Sequence, residues 1–438
     1  MLIRFRTKNY KSFLDEMVFS MSPAPKQTGL DYSILKMEAG TKEYKGLCSA
    51  VIYGPNASGK TNLIGAMDTF RAIVLRGDIR NGTIDSPNIA KSRLEYIPNC
   101  CGVPEPTEFG ICFVEDGLFI EYSLICDFGP FMGDNYNRRV LEESLFVNEK
   151  QVFLRKKGLE IELPSVIKEY INKSIKRKTP KMQQLAEDSL IDTELFLNNG
   201  FKSIYAQELV QKILDWFTKK FIVVYRSDDI TIVRDYLDLK EDTVYIEETL
   251  TDAAREFGIT ANALGYKKVG EKENERSVLF SILNDRLVPA NVFESYGTIR
   301  FINEFPLVIS VLMSGGTLVV DEFDASIHPM ALMSIINVFH NDEININHAQ
   351  IIFNTHNPIF LNASLFRRDE IKFVERDEDS GNSSHYSLSD FKTANGVRKG
   401  EDYMNNYFID RYGAIRDVDF STLLEKLITG KEVLSDEQ

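Results

Sequence analysis

Apolar and polar residues alternate at the start of the chain, as they do in a strand with one buried face. In residues 2–7, LIRFRT, apolar side chains alternate with basic ones, so a strand is predicted there. The same alternation runs through residues 107–155 on both sides of Asp116-Gly117, a dipeptide typical of tight hairpins. Antiparallel strands are therefore predicted for this part of the chain.

A different pattern occupies residues 47–77. Residues 47–53, LCSAVIY, form a short apolar run, as expected of a parallel strand that is buried on both faces. Apolar residues then recur at helical spacing from Leu63 to Val74, and the helix is expected to end near Gly77. The pattern predicts a strand, a glycine-containing loop and a helix.

Short apolar runs return at residues 317–320, TLVV, and 350–354, QIIFN, and both predict further strands of a parallel sheet. Between them and the first strands, from about 160 to 290, the sequence is charged and helix-forming, with helical spacing from Leu209 to Phe217. We therefore predict an α/β fold with a mostly parallel sheet, an antiparallel β lobe and an inserted helical domain. The expected boundaries are 1–159 for the first part of the core, 160–285 for the insertion and 286–438 for the second part.

Composition indicates an ordinary folded protein. The chain has 438 residues, of which 43% are apolar and 26% charged, and it exceeds the roughly 250–300 residues that one core supports. No apolar run approaches the roughly 20 residues of a membrane helix, so a cytoplasmic protein without membrane contact is expected. The five cysteines lack the paired spacing of a zinc site, which predicts buried or idle thiols.

The charge distribution is uneven. The net charge is −14, yet residues 150–181 contain ten basic and three acidic side chains, densest at Lys176-Arg177-Lys178. Three interpretations remain open for this basic window: a solvated helix face, a surface for DNA or RNA phosphates, or a docking surface for an acidic protein. It lacks the interleaved aromatic residues that would stack on bases.

Residues 54–61, GPNASGKT, match the phosphate-loop pattern G-x-x-x-x-G-K-[ST], between the strand and the helix that this motif requires. Glycines allow the backbone N–H groups to point at phosphates. Lys60 is expected to reach the β- and γ-phosphates of ATP, and the Thr61 hydroxyl to bind Mg²⁺. The predicted ATP-binding residues of the loop are Gly54, Pro55, Asn56, Ala57, Ser58, Gly59, Lys60 and Thr61.

A second acidic element follows the strand predicted at 317–320. Asp321 and Glu322 stand directly after it, at the strand end where ligands bind in parallel sheets. Asp321 is the expected second Mg²⁺ residue, acting through water, and Glu322 the group that polarises the attacking water. This combination predicts ATP hydrolysis to ADP and phosphate.

The flanks of this element resemble the ABC and SMC-like ATPases. Residues 321–329, DEFDASIHP, resemble their Walker B and D-loop; residues 351–358, IIFNTHNP, resemble their switch strand; and residues 294–298, ESYGT, resemble a shortened signature motif. The resemblance implies that His356 acts at the γ-phosphate and that Asp324 lies at the nucleotide. It also implies that Ser295 and Gly297 contact the γ-phosphate held by the other copy of a dimer.

A narrower resemblance comes from the two ends, residues 1–13 and 400–414, which are similar to compact ABC-type ATPases of bacterial phage-defence and abortive-infection systems such as RloA and AriA. It implies a homodimer or higher homo-oligomer that senses phage and controls a separately encoded effector, a nuclease or toxin. The alternative is a DNA-maintenance ATPase of the SMC or RecF type that binds DNA through residues 150–181.

Two departures from the family pattern accompany the resemblance. No glutamine matches a Q-loop after the first helix, and the signature lacks one glycine. The acidic residues 375–379 suggest a nuclease metal cluster, but a polar hairpin turn between strands near Lys372 and Tyr386 is favoured. His328 precedes Pro329 at a predicted helix start, where it is expected to cap or pack.

Overall fold

The computed structural model describes most of the chain. The described residues are 1–25, 27–80, 96–100, 105–131, 136–173, 175, 179–225, 245–246, 248–256, 263–269, 276–284, 286–324, 327–391, 401–416, 421, 424–425 and 428. The strands among them are β1 (Leu2–Lys8), β2 (Met17–Ser20), β3 (Ile34–Ala39), β4 (Lys42–Leu47), β5 (Ser49–Tyr53), β6 (Thr107–Glu115), β7 (Leu118–Asp127), β8 (Arg139–Val147), β9 (Lys150–Arg155), β10 (Leu159–Ile161), β11 (Phe221–Val224), β12 (Tyr245–Ile246), β13 (Ala263–Val269), β14 (Arg276–Leu283), β15 (Arg286–Pro289), β16 (Thr317–Val320), β17 (Gln350–Asn354), β18 (Ile371–Arg376) and β19 (Ser383–Ser387). The α-helices are α1 (Lys60–Arg76), α2 (Pro180–Asp188), α3 (Lys202–Ile204), α4 (Gln207–Asp215), α5 (Glu248–Glu256), α6 (Ala290–Phe293), α7 (Tyr296–Ser314), α8 (Pro329–Phe339) and α9 (Tyr403–Phe408).

A six-stranded sheet in the order β11-β16-β17-β5-β18-β19 forms the centre, and every pair except β18 with β19 is parallel. All residues of β5, β16 and β17 are buried. Alternate side chains of these strands enter two different hydrophobic cores, one shared with α1 and the other with α7 and α8. Helices on both faces explain why the strands are continuous apolar runs rather than alternating ones.

The antiparallel lobe is a seven-stranded sheet in the order β10-β9-β8-β7-β6-β1-β2. Asp116 and Gly117 connect β6 to β7 with φ values of 46° and 75°, the positive values that a two-residue hairpin turn requires. Phe70 of α1 stacks on Phe109 of β6 with ring centroids 5.6 Å apart. The predicted hairpin is confirmed, and the helix that follows the phosphate loop packs directly on this lobe.

The described residues between 160 and 285 contain both helices and strands, rather than the helices that the sequence predicted. After α2, α3 and α4, strand β11 pairs in parallel with β16 at the edge of the central sheet, and β12, β13 and β14 form an antiparallel sheet with β15. The sequence pattern missed β11 because FIVV at 221–224 is a short apolar run directly after a helical segment, and periodicity alone does not separate these cases. The division into domains stays a prediction.

No helix within the described residues combines the length and apolar character needed to cross a membrane.

Candidate nucleotide site

The phosphate loop, residues 54–59, joins the carboxyl end of β5 to α1. A Cβ atom on Gly54 would lie 2.2 Å from the Val374 carbonyl oxygen, and one on Gly59 would lie 2.5 Å from Ser383 Oγ, so both positions require glycine. The Ser383 hydroxyl donates to the Ser58 carbonyl at 2.5 Å. The β18–β19 hairpin therefore packs against the phosphate loop and supports its conformation.

The first turn of α1 has no side-chain cap; its N-cap is Gly59 at φ 111°. Backbone N–H groups at a helix start have no partner within the helix and carry part of the helix dipole. An uncapped start beside a glycine loop is a binding site for anions such as phosphates. This local arrangement agrees with the phosphate-loop motif.

The Lys60 side chain is buried, and its Nζ donates to the carbonyls of Gly54 and Pro55 at 2.8 and 2.9 Å. Burial lowers the pKa of Lys60 to about 8, although the nearby carboxylates of Asp321 and Glu322 oppose the shift. The loop carbonyls thus hold the Lys60 ammonium group beside the phosphate loop. A phosphate anion would place a negative charge in direct contact with this buried cation.

The pKa of Lys60 predicts how nucleotide affinity depends on pH. Binding to phosphates requires the ammonium form, which is present below a pKa of about 8 and is lost above it. Above pH 8 each bound ATP should therefore take up one proton, and affinity should fall by up to about tenfold per pH unit. Calorimetry between pH 7.5 and 9.5, in buffers of different ionisation enthalpy, measures both effects. An affinity that stays constant over this range would contradict the prediction.

Thr61 and Asp321 approach each other across the loop, with Thr61 Oγ1 donating to Asp321 Oδ1 at 3.2 Å. Both side chains offer oxygen atoms, which Mg²⁺ prefers, and Mg²⁺ usually keeps several of its waters in protein sites. Burial raises the pKa of Asp321, and Glu322 adds to the rise, while hydrogen bonds from Asn354 and Thr61 oppose it. The oxygen donors at these two positions fit Mg²⁺.

Glu322 has an unusual backbone. Its φ is 52°, a left-handed value that non-glycine residues rarely adopt and that is concentrated at functional sites. The Glu322 N–H donates to Asn354 Oδ1, and its carbonyl accepts from Arg300. These two contacts fix the backbone that carries the carboxylate.

The residues after β17 form a third part of the site. The Thr355 hydroxyl donates to Asp324 Oδ2 at 2.6 Å and accepts from the Asn357 N–H at 2.8 Å. His356 is exposed beside them. Partial desolvation lowers the pKa of the His356 imidazole, and the nearby Lys60 cation lowers it further. A neutral imidazole therefore faces the site at neutral pH.

The signature segment has a different environment. Ser295 caps α7 by accepting from the Thr298 N–H at 3.1 Å, and Gly297 is buried in the first turn. Ser295 itself is exposed, and beside it Val292, Phe293 and Tyr296 are 75%, 50% and 53% exposed. The hydrogen bonds found for the Ser295 hydroxyl stay within its own helix turn.

Two residues that support the site were missed by the sequence reasoning. Asn354, the last residue of β17, donates to Asp321 Oδ1 at 2.5 Å and accepts from the Glu322 N–H. Arg300 of α7 donates to the Asp321 carbonyl at 3.1 Å and forms a buried ion pair with Glu304 at 2.9 Å. A polar residue ending an otherwise apolar strand was the available signal for Asn354. Arg300 gave no signal in the sequence beyond its position about one turn from the signature segment.

A cavity of about 600 Å³ opens beside the phosphate loop, lined by residues 55–58, the turn between β18 and β19, Ile415 and Arg416. The turn is held by Asp377, which accepts from the Ser380 N–H and hydroxyl at 2.7 Å. The acidic residues 375–379 are therefore part of the expected polar hairpin. At the helix start predicted before Pro329, His328 caps α8 by accepting from the Met330 N–H at 3.2 Å.

The carboxyl ends of β5, β16 and β17 thus meet at one edge of the sheet with an anion-binding loop, paired oxygen ligands and a fixed carboxylate. Residues 49–362 match a family model described as AAA domain, putative AbiEii toxin, Type IV TA system. The chain belongs to this AAA family. The matched segment contains every predicted site residue from Gly54 to His356, so the chain carries an AAA-type ATPase domain.

Two solved structures are similar to this chain. The SMC head domain from Thermotoga maritima has 15% identity, a TM-score of 0.36 and coverage of 88% of this chain and 98% of its own. The SmcHead bound to the C-winged helix domain of ScpA has 13% identity, a TM-score of 0.34 and coverage of 90% and 99%. A comparison with curated proteins found no match.

Proposed function

We propose that this AAA protein binds Mg-ATP and hydrolyses it to ADP and phosphate. The observation that carries the proposal is that Thr61 and Asn354 both donate to Asp321 Oδ1, at 3.2 and 2.5 Å, at the edge of three neighbouring parallel strands. Mg²⁺, when bound, would neutralise charge on the phosphates. The loop N–H groups and Lys60 bind the phosphates, Thr61 supplies an oxygen ligand to the metal, and Asp321 holds the metal through water.

The hydrolytic step needs a base positioned near the γ-phosphate. Glu322 supplies the carboxylate that orients water and takes its proton, and its backbone is fixed from both sides by Asn354 and Arg300. The neutral imidazole of His356 donates a hydrogen bond to the phosphate. Asp324 holds Thr355 and so fixes the segment that carries His356.

The site requires a second copy of the chain in this proposal. Ser295 and Gly297 stand at the start of α7, where Ser295 is exposed and caps the helix, next to three exposed apolar side chains. A group of exposed apolar residues beside a polar motif is typical of an interface. In a head-to-tail homodimer, Ser295 and Gly297 of one copy contact the γ-phosphate bound by the other, so ATP closes the dimer and hydrolysis opens it.

The role that we propose for this cycle is control of a separately encoded toxic effector in anti-phage defence. The family description names a putative AbiEii toxin and a Type IV TA system, which supports a partner-controlled toxicity. The resemblance of both chain ends to phage-defence ATPases points the same way. ATP-dependent closure would retain the nuclease or toxin or release it.

Co-purification tests this role. The full chain is expressed with its genomic neighbours as Glu322→Gln, which should stay closed with ATP, and as Lys60→Ala, which should not close. A toxic partner should be retained to different extents by the two variants, because retention depends on closure. Identical sets of bound proteins, with and without ATP, would contradict the proposed coupling.

DNA maintenance remains the second candidate, supported by exposed lysines in the basic window. Lys157, Lys168 and Lys173 are exposed, whereas Arg155 is buried, with its guanidinium donating to the Glu194 and Ile191 carbonyls, and does not count toward a binding surface. Lys176-Arg177-Lys178 lies outside the described residues. Duplex DNA binding that weakens in the triple variant K157E/K168E/K173E, with a slope of log K against log salt shallower by roughly 0.9 per lost contact, would favour this candidate.

A further inference from the structure

A thiol, an imidazole and a carboxylate converge at the edge of the central sheet opposite the phosphate loop. Cys48 directly precedes β5, His340 ends α8, and Glu370 directly precedes β18. All three side chains are buried, and Cys48 Sγ, His340 Nε2 and a Glu370 carboxylate oxygen lie within 4.8 Å of one another. These three atom types are the ligands that Zn²⁺ takes in proteins.

The distances from a Glu370 carboxylate oxygen to the other two ligand atoms are close to those around one tetrahedral ion. His340 Nε2 lies 3.3 Å from Glu370 Oε1, and Cys48 Sγ lies 3.9 Å from the same oxygen. Tetrahedral Zn²⁺, with bonds of about 2.0–2.1 Å to nitrogen or oxygen and about 2.3 Å to sulfur, separates its ligands by about 3.4 Å and about 3.6 Å respectively. Both pairs need to move by only a few tenths of an ångström.

The local charge also favours a cation. The Glu370 carboxylate accepts from the Ser49 hydroxyl at 2.6 Å and from the Arg367 N–H at 2.7 Å. The Arg367 guanidinium is paired with Asp369 at 2.9 Å, and within the described residues no lysine or arginine lies within ion-pair distance of Glu370. A buried carboxylate without a cationic partner is costly.

A bound divalent ion deprotonates a coordinating thiol. One Zn²⁺ with a thiolate, a carboxylate and a neutral imidazole would leave the cluster without net charge.

We propose that Cys48, His340 and Glu370 form a zinc site. The three protein ligands are buried, with the Tyr32 and Phe366 rings packed 5.6 and 5.9 Å from the His340 ring, and they leave the fourth position of a tetrahedral ion to a small ligand such as water. The site joins the starts of β5 and β18 to the end of α8. It lies roughly 16 Å from the phosphate loop, because the five residues of β5 separate them.

The proposal competes with a metal-free hydrogen-bond network. In that arrangement the Ser49 hydroxyl bridges Glu370 Oε1 at 2.6 Å and His340 Nε2 at 3.0 Å, and a proton on Nε2 satisfies both neighbours. Metal binding would replace this network and release the thiol proton. The two arrangements therefore differ in metal content and in the protonation of Cys48.

Metal analysis of the full chain without nucleotide tests the proposal. After incubation with zinc and gel filtration, the wild type should hold about one zinc per chain. Cobalt substituted for zinc should give a thiolate-to-cobalt charge-transfer band, which a magnesium-type oxygen site cannot give. Zinc should also raise the unfolding temperature of the wild type.

Cysteine variants identify the ligand. Cys48→Ser and His340→Gln should lose both the zinc and the band, whereas Cys126→Ser, which removes another buried thiol, and Cys100→Ser, which removes an exposed one, should keep them. A wild type that binds no zinc, or a band that survives Cys48→Ser, would overturn the proposal. Because the wild type alone decides the first outcome, a variant that fails to fold does not hide the result. None of these measurements depends on ATP hydrolysis.

Discussion

Lys60→Ala should abolish ATP binding while leaving the protein folded. Hydrogen bonds from a charged group contribute about 1.5–3 kcal/mol each, so losing two phosphate contacts should weaken binding by at least about a hundredfold. The folded state should tolerate the change, because Lys60 is a buried cation whose pKa is lowered to about 8 by desolvation. Calorimetry with ATP and Mg²⁺ measures the affinity, and thermal unfolding checks the fold.

Lys36→Ala is the matched control for this variant, since Lys36 is an exposed lysine of β3 far from the nucleotide motifs in sequence. It should bind ATP as the wild type does. Wild-type affinity in Lys60→Ala would remove the phosphate loop from the proposed mechanism. Equal loss of affinity in both variants would point to a general effect of net charge.

The parts of the site that the sequence predicted are those fixed by local chemistry. A glycine loop between β5 and α1 is specified locally, because the φ of 111° at Gly59 favours glycine whatever the surrounding contacts. Asp321 likewise follows directly from an apolar strand. Short-range patterns of this kind can be recognised in a sequence without knowledge of tertiary contacts.

The parts that the sequence did not predict depend on contacts between distant segments. Asn354 supports Asp321 and Glu322 from a neighbouring strand, and Arg300 reaches them from α7. The cluster of Cys48, His340 and Glu370 is assembled from three elements, and the cysteine spacing predicted only idle thiols. Such groups meet because parallel strands align their ends, which sequence spacing does not reveal.

Glu322→Gln should separate ATP binding from hydrolysis. The amide keeps the size of the side chain and leaves the loop, Thr61 and Asp321 unchanged, so Mg-ATP should still bind and close the dimer. It removes the carboxylate that takes the proton from water, a contribution of typically 10²–10⁴-fold in rate. Turnover should therefore fall by about that factor, and ATP should trap a dimer that elutes early on a sizing column.

The backbone of Glu322 makes this variant a fair comparison. Its φ of 52° strains glutamate and glutamine alike, and the contacts with Asn354 and Arg300 involve only main-chain atoms of residue 322. The unfolding temperature should therefore stay close to that of the wild type, as it should in Glu343→Gln, an exposed control on the loop before β17. Wild-type turnover in Glu322→Gln would show that another group activates the water. If Glu322→Gln hydrolyses ATP slowly but stays monomeric in the presence of ATP, Glu322 is still the base, but ATP does not close a dimer.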